Sequence, residues 1–144
     1  MGYLIENTII NKGTINIPEV DVQIMDSATP YTLIQGNNVN TILPVACYIS
    51  IGPNQTTPYT GATHIHLTTR NNYGVGDLCA TYAFNASGTN SLIAGEAVYA
   101  MLCNFQASPN RYGGINSIKN LEIFFDAPVT GNGDMIVNLI YFTL

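Results

Sequence analysis

Two apolar runs at the end of the sequence predict the element around which the chain is organised. In the first run, residues 118–125, apolar side chains alternate with others, which is the two-residue period of a β-strand. The second run, residues 135–142, is apolar on both sides of that period, so a strand there needs cover on both faces. Asn132-Gly133 lies between the runs and favours a β-hairpin connection. The pattern therefore predicts a terminal β-hairpin, with neighbouring copies of the chain covering one face of its second strand.

Short strands separated by turns rich in Gly, Pro and Asn are predicted along the rest of the chain. Their spacing of roughly 8–12 residues is typical of sandwiches and barrels, and we predict an all-β, jelly-roll-like antiparallel β-sandwich. We predict a single domain over residues 17–144, and residues 1–16 fit an N-terminal arm or a first strand equally well. Pro44 cannot donate to a strand ladder, which predicts an edge strand or a bulge there. Predicted strands cover residues 20–24, 31–34, 41–51, 63–69 and 78–84, and residues 97–105 fit a strand or a short helix.

The chain carries little charge for its hydrophobicity. Charged residues make up 9% of the 144 residues and apolar residues 47%, whereas about 25% of an average soluble domain is charged. Because interfaces are depleted in charge, this composition favours a surface partly buried against copies of the chain or against a partner. A monomer with a neutral polar coat is the alternative. The predicted oligomer interface comes from the strand that is apolar on both faces: Met135, Val137, Leu139, Tyr141 and Phe142.

The net charge argues against two classes of partner. It is formally −5, and the four Lys and Arg residues are scattered along the chain. Binding to nucleic acid needs a cluster of cations that replaces phosphate counterions, and anionic membrane surfaces attract basic segments. We therefore expect neither nucleic acid nor a membrane as a partner.

The cysteines are predicted to be buried thiols. Cys47, Cys79 and Cys103 each lie in an apolar run and form no CxxC pair, and a buried thiol behaves as a small apolar side chain. The odd count and the lack of a signal peptide predict assembly in a reducing cytosol.

Two histidines are the weak candidates for metal binding. His64 and His66 are two residues apart in a predicted strand, so their side chains leave the same face and could share a metal. The spacing is similar to that of the cupin enzymes, whose motif has a glycine six residues before the first histidine and a glutamate soon after the second. Here Gly61 precedes His64 by three residues and no acid follows in residues 67–71. We therefore predict no metal site, no cofactor and no enzymatic activity.

Aromatic residues in the predicted loops are candidate contacts for a partner or a glycan. Tyr59, Tyr73 and Tyr112, with Arg111 beside the last, lie in polar loop segments. Tyrosine suits stacking on a saccharide and packing at an interface alike. The alternative is that these side chains pack on the ends of the chain's own sandwich.

Several short motifs follow one another in a distinctive order along the chain. They are Ile17-Pro18, Thr29-Pro30-Tyr31-Thr32-Leu33, Ile42-Leu43-Pro44, Pro58-Tyr59-Thr60-Gly61 and the ending that runs from Val129 through Asp134 to Phe142. Their order resembles that of a family of small bacteriophage virion structural proteins, the capsid decoration, cement or head-fibre proteins. The resemblance covers residues 17 to 144 and implies a jelly-roll-like sandwich, often trimeric, located on the capsid surface or in an appendage of the virion.

The resemblance also implies partners and a function. The implied partners are further copies of the chain and the major capsid protein or other virion proteins. The implied function is capsid decoration, and the alternative is a tail or head-fibre module that binds a host-surface glycan or receptor.

Overall fold

A computed structural model describes residues 9–36, 42–70, 76–83, 99–102 and 120–143. Within these residues the chain forms eight strands and one short helix. In chain order they are β1 (Ile9–Ile17), α1 (Glu19–Ile24), β2 (Tyr31–Ile34), β3 (Ile42–Ile51), β4 (His64–Arg70), β5 (Gly76–Ala83), β6 (Tyr99–Leu102), β7 (Asn120–Phe125) and β8 (Met135–Thr143).

The strands form two antiparallel sheets of four. The first sheet has the order β1-β8-β3-β6 and the second the order β2-β7-β4-β5. The pairs nest inside one another along the sequence, because β1 pairs with β8, β2 with β7, β3 with β6 and β4 with β5. The predicted all-β, antiparallel fold is confirmed.

The core lies between the two sheets and is built from alternate residues of strands in both. In β7 the inward residues are Leu121, Ile123 and Phe125, all fully buried. In the first sheet the inward residues come from β1, β3 and β8. At one end of this sheet Met135 lies directly across from Ile17 on one side and from Ile51 on the other. The period-2 pattern thus produces one apolar layer from each sheet.

The predicted terminal hairpin is wrong. β7 and β8 are both strands, but they belong to opposite sheets and do not pair with each other. The connection between them crosses the end of the sandwich, and Gly131 and Gly133 adopt positive φ angles of 135° and 102° on the way. The side chain of Asn132 accepts hydrogen bonds from the backbone N–H groups of Thr56 and Thr57 at 2.8 Å. The Asn-Gly signal therefore marks a crossing between sheets that is held by another loop.

The predicted strand at 20–24 is also wrong, because these residues form α1. Of its alternating apolar residues only Val22 is buried, whereas Val20 and Ile24 are 66% and 62% exposed. The carbonyl of Pro18 accepts from the N–H groups of Asp21 and Val22 at 2.9 and 3.1 Å and starts a helical turn. A run of five alternating residues is too short to separate one turn of helix from a strand.

The remaining predicted strands are confirmed to within a few residues, and residues 97–105 contain the strand β6. Of the two alternatives for Pro44, the structure shows a bulge, since the β3–β8 register shifts between Pro44 and Ala46. Residues 9–16 belong to β1, which pairs with β8 along its whole length and runs through the predicted boundary at 16/17. Residues 1–8 lie outside the described residues.

Cys47 is a thiol buried in the core, while the side chains of Cys79 and Cys103 fall outside the described part of the chain. No helix among the described residues has the length and hydropathy needed to cross a bilayer.

Candidate functional site

Three residues of the predicted oligomer interface are instead part of the chain's own core. Met135, Val137 and Leu139 are buried between the two sheets, so they cannot contact another copy. Tyr141 is partly buried and packs against the same core. Period 2 separates the two faces of β8 but does not say which face turns inward. Phe142 alone of the predicted set lies on the opposite face.

This opposite face is the outer face of the first sheet. Its apolar side chains are those of Ile10, Tyr48, Ile136, Ile140 and Phe142. Ile10 is 64% exposed and lies directly across from Phe142. The other four side chains are half-buried. Lys12, directly across from Ile140, carries the only charge on this face among the described residues. Polar side chains share the face, since Thr14 lies directly across from Asn138 and donates to its side-chain carbonyl at 2.7 Å, and Asn16 lies directly across from Ile136. The arrangement is a mixed sheet surface with little charge, and its apolar part is formed by Ile10, Ile140 and Phe142.

Tyr59 is not a surface contact, which corrects its predicted role. Its side chain is 2% exposed, and its hydroxyl donates a hydrogen bond to the carbonyl of Gly133. Burial raises the pKa of Tyr59 to about 12, and the carboxylates of Glu19 and Asp134 contribute to the rise. The residue packs on the end of the sandwich. Tyr73, Arg111 and Tyr112 lie outside the described residues.

Hydrogen bonds to the carboxylates of Glu19 and Asp134 link α1 to the segment between β7 and β8. Glu19 accepts from the N–H of Gly133 at 3.1 Å and from the side-chain amide of Gln23 at 3.2 Å. Asp134 accepts from the N–H of Glu19 at 3.1 Å and from Asn16 at 3.3 Å. Both carboxylates are therefore occupied in holding backbone, which is a structural use.

His64 and His66 leave the same face of β4, as predicted. Their rings are nearly parallel, at 13°, with centroids 5.9 Å apart. The Nδ1 atom of His64 lies 3.1 Å from Oδ2 of Asp126. Because a carboxylate only accepts, Nδ1 is the protonated nitrogen and Nε2 carries the lone pair in the neutral ring.

Asp126 is held by Thr63 and His64 together. Its Oδ1 accepts the N–H groups of Thr63 and His64 at 2.8 and 3.0 Å, and its Oδ2 accepts the Thr63 hydroxyl. Partial burial raises the pKa of Asp126, but these hydrogen bonds outweigh it and hold the pKa well below its ordinary value. The carboxylate thereby joins the start of β4 to the end of β7.

The described neighbours of the histidine pair include an aromatic ring, a threonine hydroxyl and a carboxylate that is already hydrogen-bonded. Burial lowers the pKa of His66, with a further lowering from His64 that Asp126 opposes, and its ring lies 5.2 Å from that of Phe124. The Thr63 hydroxyl is 2.8 Å from Nδ1 of His64, on the side away from the nitrogen that would activate a nucleophile. No group of three His, Cys, Asp or Glu able to hold a metal occurs among the described residues.

Two features of the surface were not found from the sequence. One is the contact of Asp126 with Thr63 and His64, which joins residues more than sixty positions apart. The other is the exposed pair Val20 and Ile24 on α1, whose spacing of four was the available signal but fits period 2 as well.

The fold places this chain in the class of all-β antiparallel sandwich proteins. Comparisons of the chain with family models, with curated proteins and with solved structures found no match.

Proposed function

We propose that this protein is a bacteriophage virion structural protein that decorates the assembled head and stabilises it. The observation that carries the proposal is the outer face of the first sheet, where Ile140 and Phe142 lie beside Ile10 with Lys12 as the one described charge. A partly apolar sheet face of low charge suits association between copies of the chain, as in an oligomeric virion protein. The resemblance of the motif order to phage decoration proteins supports the same function.

The stabilising effect would come from selective binding. A protein that binds several capsid subunits at once has its sites only on the assembled lattice, and binding to one state alone shifts the equilibrium toward that state. Copies associated through the outer face of the first sheet, as a trimer or another symmetric oligomer, would bind more tightly because their contacts act at a high effective concentration. The location that follows is the virion surface, after assembly in the host cytoplasm.

Co-sedimentation tests the proposal directly. The purified chain is mixed with empty heads assembled from the major capsid protein of the phage genome that encodes it, and in parallel with unassembled capsid subunits. We expect the chain to pellet with heads, to leave the subunits in the supernatant and to raise the melting temperature of the heads. A chain that stays in solution with intact heads would contradict the proposal.

Binding to a panel of glycans would distinguish the fibre alternative from capsid decoration. The burial of Tyr59 removes one of the residues on which glycan contact was predicted. A rise in the melting temperature of the chain with a glycan, without binding to heads, would favour the fibre function over decoration.

A further inference from the structure

One end of the sandwich gathers most of the described negative charge. We call it the acidic end and define it by residues 18–30, 52–63 and 126–134, the connections that follow β1, β3 and β7. Hydrogen bonds join the three, among them a backbone pair between Thr60 and Thr130 at 2.8 Å. These segments contain no Lys or Arg. Their carboxylates belong to Glu19, Asp21, Asp26, Asp126 and Asp134.

An apolar patch lies at this end, on the outward side of α1. Val20 and Ile24 are 66% and 62% exposed. Residues four apart in a helix are neighbours on one face, with about 5–6 Å between their Cβ atoms, so the two form a continuous surface. Asp21 lies three residues before Ile24 and adds charge beside it. A partner with an apolar pocket could cover both side chains at once.

The patch is held in place by hydrogen bonds. A six-residue helix has little stability of its own, but α1 is fixed from both ends. The side-chain amide of Gln23 donates to the carbonyl of Gly131 at 2.7 Å, Glu19 binds the N–H of Gly133, and the hydroxyl of Thr29 donates to the carbonyl of Ile24. A surface ordered before binding loses less conformational entropy when a partner binds.

We infer that the acidic end is the surface through which this protein docks on its partner, and that the partner is a protein surface with an apolar pocket bordered by Lys or Arg. Charge complementarity identifies the kind of partner, because five carboxylates without a compensating Lys or Arg attract a surface that carries basic groups. A second copy docked through the same end would bring two such clusters together, and nucleic acid or an anionic membrane would be repelled likewise. The inference rests on the proposed function: the partner is the assembled head, and the acidic end, rather than the outer face of the first sheet, contacts it.

Two double variants test the docking surface. Val20→Ser with Ile24→Ser removes the apolar area at positions that are already exposed, so the melting temperature of the isolated chain should not change. Val20→Ile with Ile24→Val exchanges the two side chains and keeps the apolar area, which makes it the matched control. In co-sedimentation with the same empty heads, we expect the serine variant to bind at least about tenfold more weakly than the wild type and the exchange variant to bind equally well.

A salt series tests the electrostatic part. Binding of the wild type to heads should weaken between about 50 mM and about 300 mM salt, because salt screens exposed charges. Asp21→Asn should flatten that dependence, and Asp77→Asn, in β5 and outside the acidic end, should not.

The outcomes separate the two proposals. If the wild type does not bind heads, the proposed function fails and this inference fails with it. If the wild type binds and the serine variant binds as tightly, only this inference is overturned. Head-free polymers of the wild type that the serine variant does not form would assign the patch to another copy of the chain and would also overturn it.

Discussion

Tyr59 and Asp126 are polar residues in loop-like sequence that the structure uses to join distant segments. The Tyr59 hydroxyl binds the carbonyl of Gly133 across the end of the sandwich. Asp126 accepts hydrogen bonds from Thr63 and His64 at the start of β4. Neither residue has a proposed role in binding or catalysis. Replacing either one should therefore change the stability of the fold.

Replacing Tyr59 with Phe should lower the free energy of unfolding at pH 7 by about 1–2 kcal/mol, because the Gly133 carbonyl loses its buried donor. The pKa of Tyr59 is raised from 10.0 to about 12 in the folded state, so its contribution is complete below pH 10 and is lost as the pH rises toward 12. Urea unfolding at several pH values should show a steeper alkaline loss in the wild type than in Tyr59→Phe. Tyr48→Phe, at a half-buried position on the outer face of the first sheet, serves as the control and should behave as the wild type.

Replacing Asp126 with Asn should cost about 1–3 kcal/mol at pH 7 through the loss of charge-assisted hydrogen bonds. The pKa of Asp126 is lowered in the folded state, so its stabilisation is present above the unfolded value of about 3.9 and is lost as the pH falls further. The gap between wild type and variant should narrow when urea unfolding is repeated at about pH 2.5. A gap that stays constant would show that the carboxylate charge is not involved; Asp21→Asn, on exposed α1, is the control.

At the level of elements, α1 and the β7–β8 connection depart from their sequence patterns, and each does so through contacts with the other. α1 is anchored by Glu19 and Gln23 on Gly133 and Gly131. The connection in turn passes so close to Pro58 that a Cβ on Gly131 would lie 2.6 Å from its carbonyl oxygen. The two elements therefore form one unit at the acidic end.

The helical form of residues 19–24 predicts different effects for two valines that a strand would place on one face. Val22→Ala should lower the free energy of unfolding by about 1–3 kcal/mol because it opens a cavity in the core. Val20→Ala removes an exposed side chain and should change it by less than about 0.5 kcal/mol. Chemical denaturation of both variants checks this, and equal effects would contradict the helix.

Two glycines provide a matched test of the connection. Gly131→Ala should lower the free energy of unfolding by about 2 kcal/mol or more, because φ is +135° and the Cβ would meet backbone. In β1, a Cβ added to Gly13 would meet nothing within 4 Å beyond its own chain neighbours, so Gly13→Ala should be neutral or stabilise by up to about 1 kcal/mol. Equal melting temperatures for the two variants would contradict the close approach of Gly131 to Pro58.

On the scale of the whole molecule, the sandwich has two surfaces of different character. The outer face of the first sheet is partly apolar with Lys12 as its one described charge, and the acidic end combines five carboxylates with Val20 and Ile24. The first suits association between copies and the second suits a basic partner. Under the proposed function, the first surface would serve association between copies and the second would bind the assembled head.

Self-association is the prediction at this scale. Phe142→Asp places a charge on the apolar part of the outer face of the first sheet, directly across from Ile10, and should convert an oligomer into a monomer while the fold is kept. Sedimentation velocity at a series of concentrations measures the effect. Gln35→Asp adds the same charge at an exposed site elsewhere and should leave the oligomer intact. A monomeric wild type at high concentration would contradict the predicted association.

The sequence by itself determined that the chain is all-β and where most of its strands lie, since alternation and turn residues are local signals. It also indicated that His64 and His66 share a face, because two residues apart on a strand always do. It did not determine which strands pair, because β7 meets β2 and β4 through contacts between distant parts of the chain. Only the tertiary structure decided that Met135, Val137 and Leu139 face the core, that Tyr59 is buried and that residues 19–24 form a helix. In each case the deciding energy comes from packing and hydrogen bonds with partners far away in the sequence.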